Sequence, residues 1–353
     1  MTDLNQLSKQ IKSWGRSLGF QQVGITDIDL SDTEVHFLNW IKKNRHGSME
    51  YMSRHGLTRT RPEDLLPGTL RIISVRMDYF PSPCTQAEDI LDHNELAYIS
   101  RYALGRDYHK VLRKKLQKLC TQISQEISNF NYRVFTDSAP VLEKALAEKA
   151  GIGWIGKHSN LINKNTGSWY FLGEIYTDLP LPMDLKADNH CGNCQSCIDA
   201  CPTNAIVAPY EIDARLCISY LTIELRESIP LKLRPLMGNR IYGCDDCQLV
   251  CPWNKFTSFT QEQDFMPRHH LDAPTLVELF NWSEDEFLSK TEGSPIRRIG
   301  YHCWIRNIAV ALGNTTKNQA ALKALLNKRE FPSAMVREHI EWAIARLSAQ
   351  SSA

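Results

Sequence analysis

Cys191-Gly-Asn-Cys194-Gln-Ser-Cys197-Ile-Asp-Ala-Cys201-Pro202 is the stretch on which the reading of this chain turns. A second run, Cys244-Asp-Asp-Cys247-Gln-Leu-Val-Cys251-Pro252, lies downstream, and Cys217 stands alone between the two. The C-x2-C-x2-C-x3-C-P spacing holds 4Fe–4S clusters. Three thiolates two residues apart can wrap one iron–sulfur cube. The fourth, three residues on, turns away and serves a neighbouring cube, and the proline after it stops the chain from continuing as a helix. The spacing assigns Cys191, Cys194, Cys197 and Cys251 to a first cluster, and Cys201, Cys217, Cys244 and Cys247 to a second. Eight ligands for two clusters leave no cysteine of this segment over. Zinc favours separate C-x2-C pairs, and structural disulfides belong to oxidising compartments, so both are weaker readings. Of the chain's 11 cysteines, Cys84, Cys120 and Cys303 fall outside. Cys120 sits on a helical apolar stripe and reads as a core thiol.

Working outward, 353 residues suggest two or three domains with ample core. A net charge of +1 gives no global pull toward nucleic acid or membrane, so any such contact must come from local patches. The polar, amphipathic N-terminus lacks the apolar centre of a signal peptide. No stretch approaches the ~18 apolar residues of a membrane span. Many free thiols then predict a reducing cytoplasm.

Periodicity predicts helices over Leu4–Leu18, Val35–Lys43, 108–130, Val141–Ala150, Ile296–Leu312, Ala320–Leu326 and Val336–Leu347. It predicts strands over Gln21–Thr26, Leu70–Tyr79, Tyr132–Phe135 and Trp169–Thr177. The expected class is α+β or α/β: a mixed α/β domain over 1–180, a ferredoxin-like two-cluster 4Fe–4S domain over 181–260, and a C-terminal helical, HEAT-like repeat domain over 261–353.

Four further motifs carry chemistry. Arg101-Tyr-Ala-Leu-Gly-Arg-Asp-Tyr-His109 leads into the long helix, with Asp107 a plausible N-cap. Asp137 lies between a strand and a helix, which suits either a ligand-binding carboxylate or a helix cap. Gly151-Ile-Gly-Trp-Ile-Gly-Lys-His-Ser-Asn160 could let backbone approach a large flat or anionic ligand, and His158 is either a ligand or a hydrogen-bonding residue. Arg297, Arg298 and Arg306, interleaved with Tyr301, His302 and Trp304, are either a solvated helix face or a phosphate grip.

Together, Ser100-Arg-Tyr-Ala-Leu-Gly-Arg-Asp-Tyr-His, Asp137-Ser-Ala-Pro, the 151–159 stretch, the cysteine runs, Cys217-Ile-Ser-Tyr-Leu-Thr-Ile-Glu and Gly238-Asn-Arg-Ile-Tyr-Gly-Cys-Asp-Asp-Cys resemble the epoxyqueuosine reductase family over nearly the whole chain. The resemblance implies a cobalamin-dependent enzyme with two 4Fe–4S clusters. Its members reduce the epoxide of epoxyqueuosine, at the wobble position of tRNAs with GUN anticodons, to queuosine. Electrons from a flavodoxin or ferredoxin would pass through the clusters to cobalamin, whose Co(I) state is strongly nucleophilic. Asp137 would be the proton donor, with a carboxyl raised by burial so that it keeps its proton. Cobalamin would lie between the first domain and the clusters, lined by Arg59, Ser100, Asp137, Lys157, His158, Ser159 and Ser219. Ser100 stands where some relatives carry cysteine, so no thiol can act there. Arg297, Arg298 and Arg306 would grip the anticodon stem. A cytoplasmic monomer is expected. A reductive dehalogenase acting on small molecules is the alternative enzyme class, and a simple electron carrier, which needs far fewer residues, is the third reading.

Overall fold

The computed structural model describes residues 3–127 and 130–351. Its centre is a four-stranded sheet of order Gln22–Thr26, Arg71–Asp78, Tyr170–Thr177, Tyr132–Phe135, with every neighbouring pair antiparallel. The two central strands are buried along almost their whole length, so both faces of the sheet must be covered.

Alternation along Arg71–Asp78 separates the two faces. Ile73, Val75 and Met77 join Ile175, Phe171, Leu7, Ile11, Leu112, Leu116 and Leu119 in the apolar core on one face of the sheet. These residues sit on one stripe each of the helices Leu4–Ser17 and Tyr108–Glu126, which therefore lie on that face. Full burial of a leucine such as Leu116 stabilises by roughly 1.5–3 kcal/mol. Cys120 is buried in the same core. The opposite face begins apolar, with Ile72 and Tyr176 packed on Leu146 of the helix Glu143–Lys149. It then turns polar, with Ser74, Arg76, Asp78 and Glu174 all buried. Ser74 and Glu174 are register partners. The functional site is built beside this polar half.

Helix ends follow local chemistry. Asp107 caps the long helix, accepting from the His109 N–H at 3.1 Å. That helix stops at Glu126, short of the predicted end; Ser128 and Asn129 of the expected span lie outside the described residues. The predicted Ile296–Leu312 helix is divided. Pro295–Ile299 is a 3₁₀ turn, and the α-helix runs from Gly300, at φ 74, to Gly313.

The expected domains share cores. Ala97, Ile99, Ala103 and Leu104 pack with the C-terminal helices Gly300–Gly313, Gln319–Asn327 and Ala334–Ser351, whereas Phe265 packs into the core of the sheet. Tyr98–Ile99 also pairs in parallel with Arg240–Tyr242, next to the second cysteine run. Among the described residues no helix is long and apolar enough to cross a membrane.

Candidate functional site: a cavity between the sheet and the cysteine clusters

The first of the two expected cysteine groups surrounds one cavity. Cys191, Cys194, Cys197 and Cys251 ring a cavity of about 330 Å³, walled also by Trp253, His158 and Lys157. Cys194 is exposed, while Cys197 and Cys251 are buried. The Lys157 ammonium donates to the carbonyls of Gly192 and Cys194, both at 2.8 Å, and so shapes the cluster loop. In the second group, burial and then neighbouring Cys217 raise the Cys247 thiol, with Cys201 and Cys197 also in range. Burial and then Asp246 raise Cys244, with Cys217 again a neighbour.

Two further cavities meet beside the sheet. The larger, about 1000 Å³, is lined by Arg54, His55, Arg59, Arg297 and Arg298. The other, about 480 Å³, reaches Ser100, Ser219, Lys144 and Cys244 of the second cysteine run. Tyr102, Tyr108, Asp137 and Glu224 line both.

Asp137 is the hinge between them. The Tyr108 hydroxyl donates to its Oδ2 at 2.6 Å, and His109 Nε2 lies 3.2 Å from the same oxygen. On its other side, His109 Nδ1 is 2.7 Å from Asp107 Oδ1. The Tyr108 ring is fixed by stacking on Phe171, with centroids 4.1 Å apart. The Asp137 side chain is exposed at the cavity wall and His109 is half-buried; desolvation works against charge on both, but the hydrogen bonds win. His109 is raised to about 9 by Asp107 and Asp137, and Asp137 is held at about 2 by His109 and Tyr108. The expected upward shift of Asp137 is therefore corrected. Two donors converge on one carboxylate oxygen, so the proton of this pair resides on His109.

Asp137 does not cap a helix. Its backbone is left-handed at φ 53, and the next helix starts only at Glu143. Glu143 Oε1 instead accepts the Asp137 N–H at 2.6 Å. Burial and then Asp137 raise Glu143 to about 7. Burial and then Glu143 raise Glu174 further, and the two carboxyls hydrogen-bond to each other. Two buried acids in contact cannot both ionise, so they share a proton.

The remaining predicted residues separate. Arg59 is buried in the large cavity, its Nη2 donating to the Tyr51 carbonyl at 2.8 Å. Ser100 and Ser219 line the smaller cavity, and Ser100 Oγ donates to Asp245 at 2.6 Å. Lys157 and His158 line the first cluster's cavity instead. Burial and then Lys144 push His158 down to about 4, so it stays neutral. Ser159 contributes through its carbonyl, which accepts from Lys144 Nζ at 2.9 Å. The glycines of this stretch serve the protein's own packing rather than a ligand. A side chain at Gly153 would strike the Ile162 carbonyl, and one at Gly151 the Leu185 carbonyl at 2.5 Å. Arg297 and Arg298 are exposed at the cavity, Arg298 paired with Glu224. Arg306 is corrected: it is fully buried and donates to the carbonyls of Leu221, Leu225 and Glu227. It cannot reach a phosphate, because leaving those acceptors would strand a buried charge.

Cobalamin fits this pair of cavities. Aromatic walls (Tyr79, Tyr102, Tyr108, Tyr170, Phe171) suit a flat macrocycle, and the Tyr170 hydroxyl is buried there without a hydrogen-bond partner. Tyr108, Glu143 and Glu174 were not singled out from sequence. Glu174 left one signal, an acid in the otherwise apolar strand Tyr-Phe-Leu-Gly-Glu-Ile-Tyr-Thr.

Comparison with known proteins agrees with this geometry. The epoxyqueuosine reductase QueG family model matches residues 59–138, and a 4Fe–4S double cluster binding domain matches 190–254. An epoxyqueuosine reductase of Pseudomonas aeruginosa is 57% identical over 98% of this chain and 95% of its own length. One from Escherichia coli K12 is 58% identical over 98% and 90%. A crystal structure of an epoxyqueuosine reductase with an epoxyqueuosine-modified tRNA-Tyr stem loop superposes with a TM-score of 0.90, at 28% identity over 98% of this chain and 91% of that one. The Bacillus subtilis enzyme, solved with its catalytic aspartate loop swung out of the active site, gives 0.88 at 28% identity and the same coverage.

Proposed function

This chain belongs to the epoxyqueuosine reductase family, and on that premise we propose how its own residues carry the reaction. The activity is reduction of epoxyqueuosine in tRNA to queuosine. The epoxide takes up two electrons and two protons, the carbon–oxygen bonds break, and an alkene and one water result.

Bound cobalamin supplies the low-potential nucleophilic metal that no side chain can provide. Ser100, Ser219, Lys144 and Tyr170 line the cavity that would hold it. Electrons arrive one at a time from an external carrier of flavodoxin or ferredoxin type. Cys194 is the exposed ligand of the first set, and Cys244 of the second borders the cavity. A cluster held by the first set would be open to a carrier at Cys194, and one held by the second would lie beside the cavity at Cys244.

Asp137 passes the proton. An epoxide oxygen leaves readily only when protonated, and general acid catalysis contributes roughly 10²–10⁴ in rate. His109 holds the reserve proton on Nε2, and Asp137 Oδ2 receives it and hands it on. Asp107 fixes the imidazole from behind. The observation that carries this reading is the Asp107–His109–Asp137 line at the junction of the two cavities. The catalytic aspartate loop of the Bacillus subtilis relative supports it. Arg297 and Arg298 face the tRNA at the wide cavity, and the protein acts as a cytoplasmic monomer.

Nucleoside analysis of tRNA from cells lacking the protein tests the reading. Accumulated epoxyqueuosine that disappears on complementation is the expected result, and an unchanged queuosine content overturns it.

A further inference from the structure

The helix Tyr108–Glu126 starts at the catalytic line and carries charge of one sign along its solvent side. Its 19 residues include five cations, Lys110, Arg113, Lys114, Lys115 and Lys118, and a single acid, Glu126. Lys115 is engaged by Glu262 at 2.9 Å. The other four are exposed, and among the described residues none of them makes an ion pair. Lys110, Lys114 and Lys118 recur every four residues on one face, with Arg113 beside them three residues after Lys110, and eight residues of rise make a row about 12 Å long. In a chain whose net charge is only +1, this is a strong local concentration.

The row continues into a groove. A cavity of about 580 Å³ is lined by Lys110, Lys114, Arg106, Arg268 and His269. It shares Asp107, Lys110, Glu292 and Gly293 with the large catalytic cavity, so the two are continuous. The acids in its wall are partly engaged: Asp107 by His109, and Asp264 by Arg106 at 3.0 Å. Partial burial and then Arg268, Lys290 and His270 depress the His269 imidazole, as a positive local field requires. At the other end, Arg113 Nη2 reaches Ser138 Oγ at 3.3 Å, directly beside Asp137.

We infer that Lys110, Arg113, Lys114 and Lys118, with Arg268 across the groove, form the phosphate rail that seats the anticodon stem-loop while its modified nucleoside lies in the catalytic cavity. This rests on the reading of tRNA as the substrate. The 3₁₀ turn ahead of the C-terminal helices supplies Arg297 and Arg298 at the mouth, and Arg306 is internal. A polyanion with regularly spaced charges is the ligand such a row matches, and neutralising phosphates releases counterions.

The test is tRNA-Tyr binding to the cluster-loaded protein over a range of salt concentrations. Lys114→Glu/Lys118→Glu is expected to weaken binding at least tenfold at fixed salt. The neutral Lys114→Gln/Lys118→Gln is expected to lower the log–log salt slope by about two, one for each lost contact. Iron content and melting temperature should stay at wild-type values in the neutral variant, which guards against misfolding of the reversed one. Wild-type affinity and slope in both variants overturn the rail. Retained tRNA binding with slower reduction by an acidic carrier protein also overturns it, and marks the face as the carrier's dock. Absence of salt-dependent tRNA binding by the wild type would instead sink the substrate reading on which the rail depends.

Discussion

Glu143 accepts the backbone N–H of Asp137 at 2.6 Å, and so holds a left-handed, non-glycine residue in place at the junction of two cavities. Such backbone costs on the order of 1–3 kcal/mol and persists only when its surroundings enforce it. The clamp is itself an acid that shares a proton with Glu174. Its carboxyl, raised to about 7, keeps a proton in the folded protein that the unfolded chain releases near pH ~4.3. The folded state then binds more protons over that window, so stability falls as pH rises from about 4.5 to about 7. Glu143→Gln should flatten this slope, seen as a smaller drop in melting temperature between pH 5 and pH 7. An unchanged slope would remove the shared proton from the account.

Asp137→Asn keeps the size of the side chain and removes the proton carrier. Turnover should fall by roughly 10²–10⁴ while the visible absorption of the clusters is retained. Equal turnover would show that the proton comes from elsewhere.

His109 sets the basic limb of activity. Its imidazolium, raised to about 9 by its two carboxylates, is the reserve that disappears as pH rises through that value. Asp107→Asn removes one of those carboxylates while preserving a good helix cap. The basic limb of kcat should move down toward about 6.5, the ordinary imidazole value. A limb still near 9 in the variant would exclude His109 as the reserve.

Arg306→Leu strands the carbonyls of Leu221, Leu225 and Glu227 in the interior. A loss of about 3 kcal/mol or more in unfolding free energy is expected, measured by denaturant titration. The salt slope of tRNA binding by the folded fraction should match wild type, which separates a structural arginine from a phosphate contact.

Cys194→Ala removes a ligand of the first set only. Anaerobically isolated protein should lose about half of its roughly eight irons, with the second cluster's signal remaining in the reduced state. Full iron content would contradict the ligand assignment.

Much of this was legible in the chain because spacing and periodicity report local structure. Cys191, Cys194, Cys197 and Cys251 border one cavity, an arrangement open to the spacing because residues two and three apart have little geometric freedom. All four sheet strands were also visible, within a residue or so at their ends. What the sequence hid is long-range. Nothing local says that Arg306 points at three carbonyls some 80 residues earlier rather than at solvent. Nothing local says that Glu143 folds back to Asp137 instead of facing water at a helix start. The raised proton affinity expected of Asp137 fails for the same reason: its side chain is exposed at the cavity wall, and two donors from another helix hold its charge.

The smaller cavity touches Cys244 on one part of its wall and Asp137 on another. Cys244 belongs to the 191–251 segment and the Asp107–His109–Asp137 line to the 107–137 segment, so a nucleoside seated between them would meet a source of electrons and a source of acid from separate stretches of the chain. Such a separation would leave strongly reducing electrons no direct path to the acid line, where they would be wasted on making hydrogen.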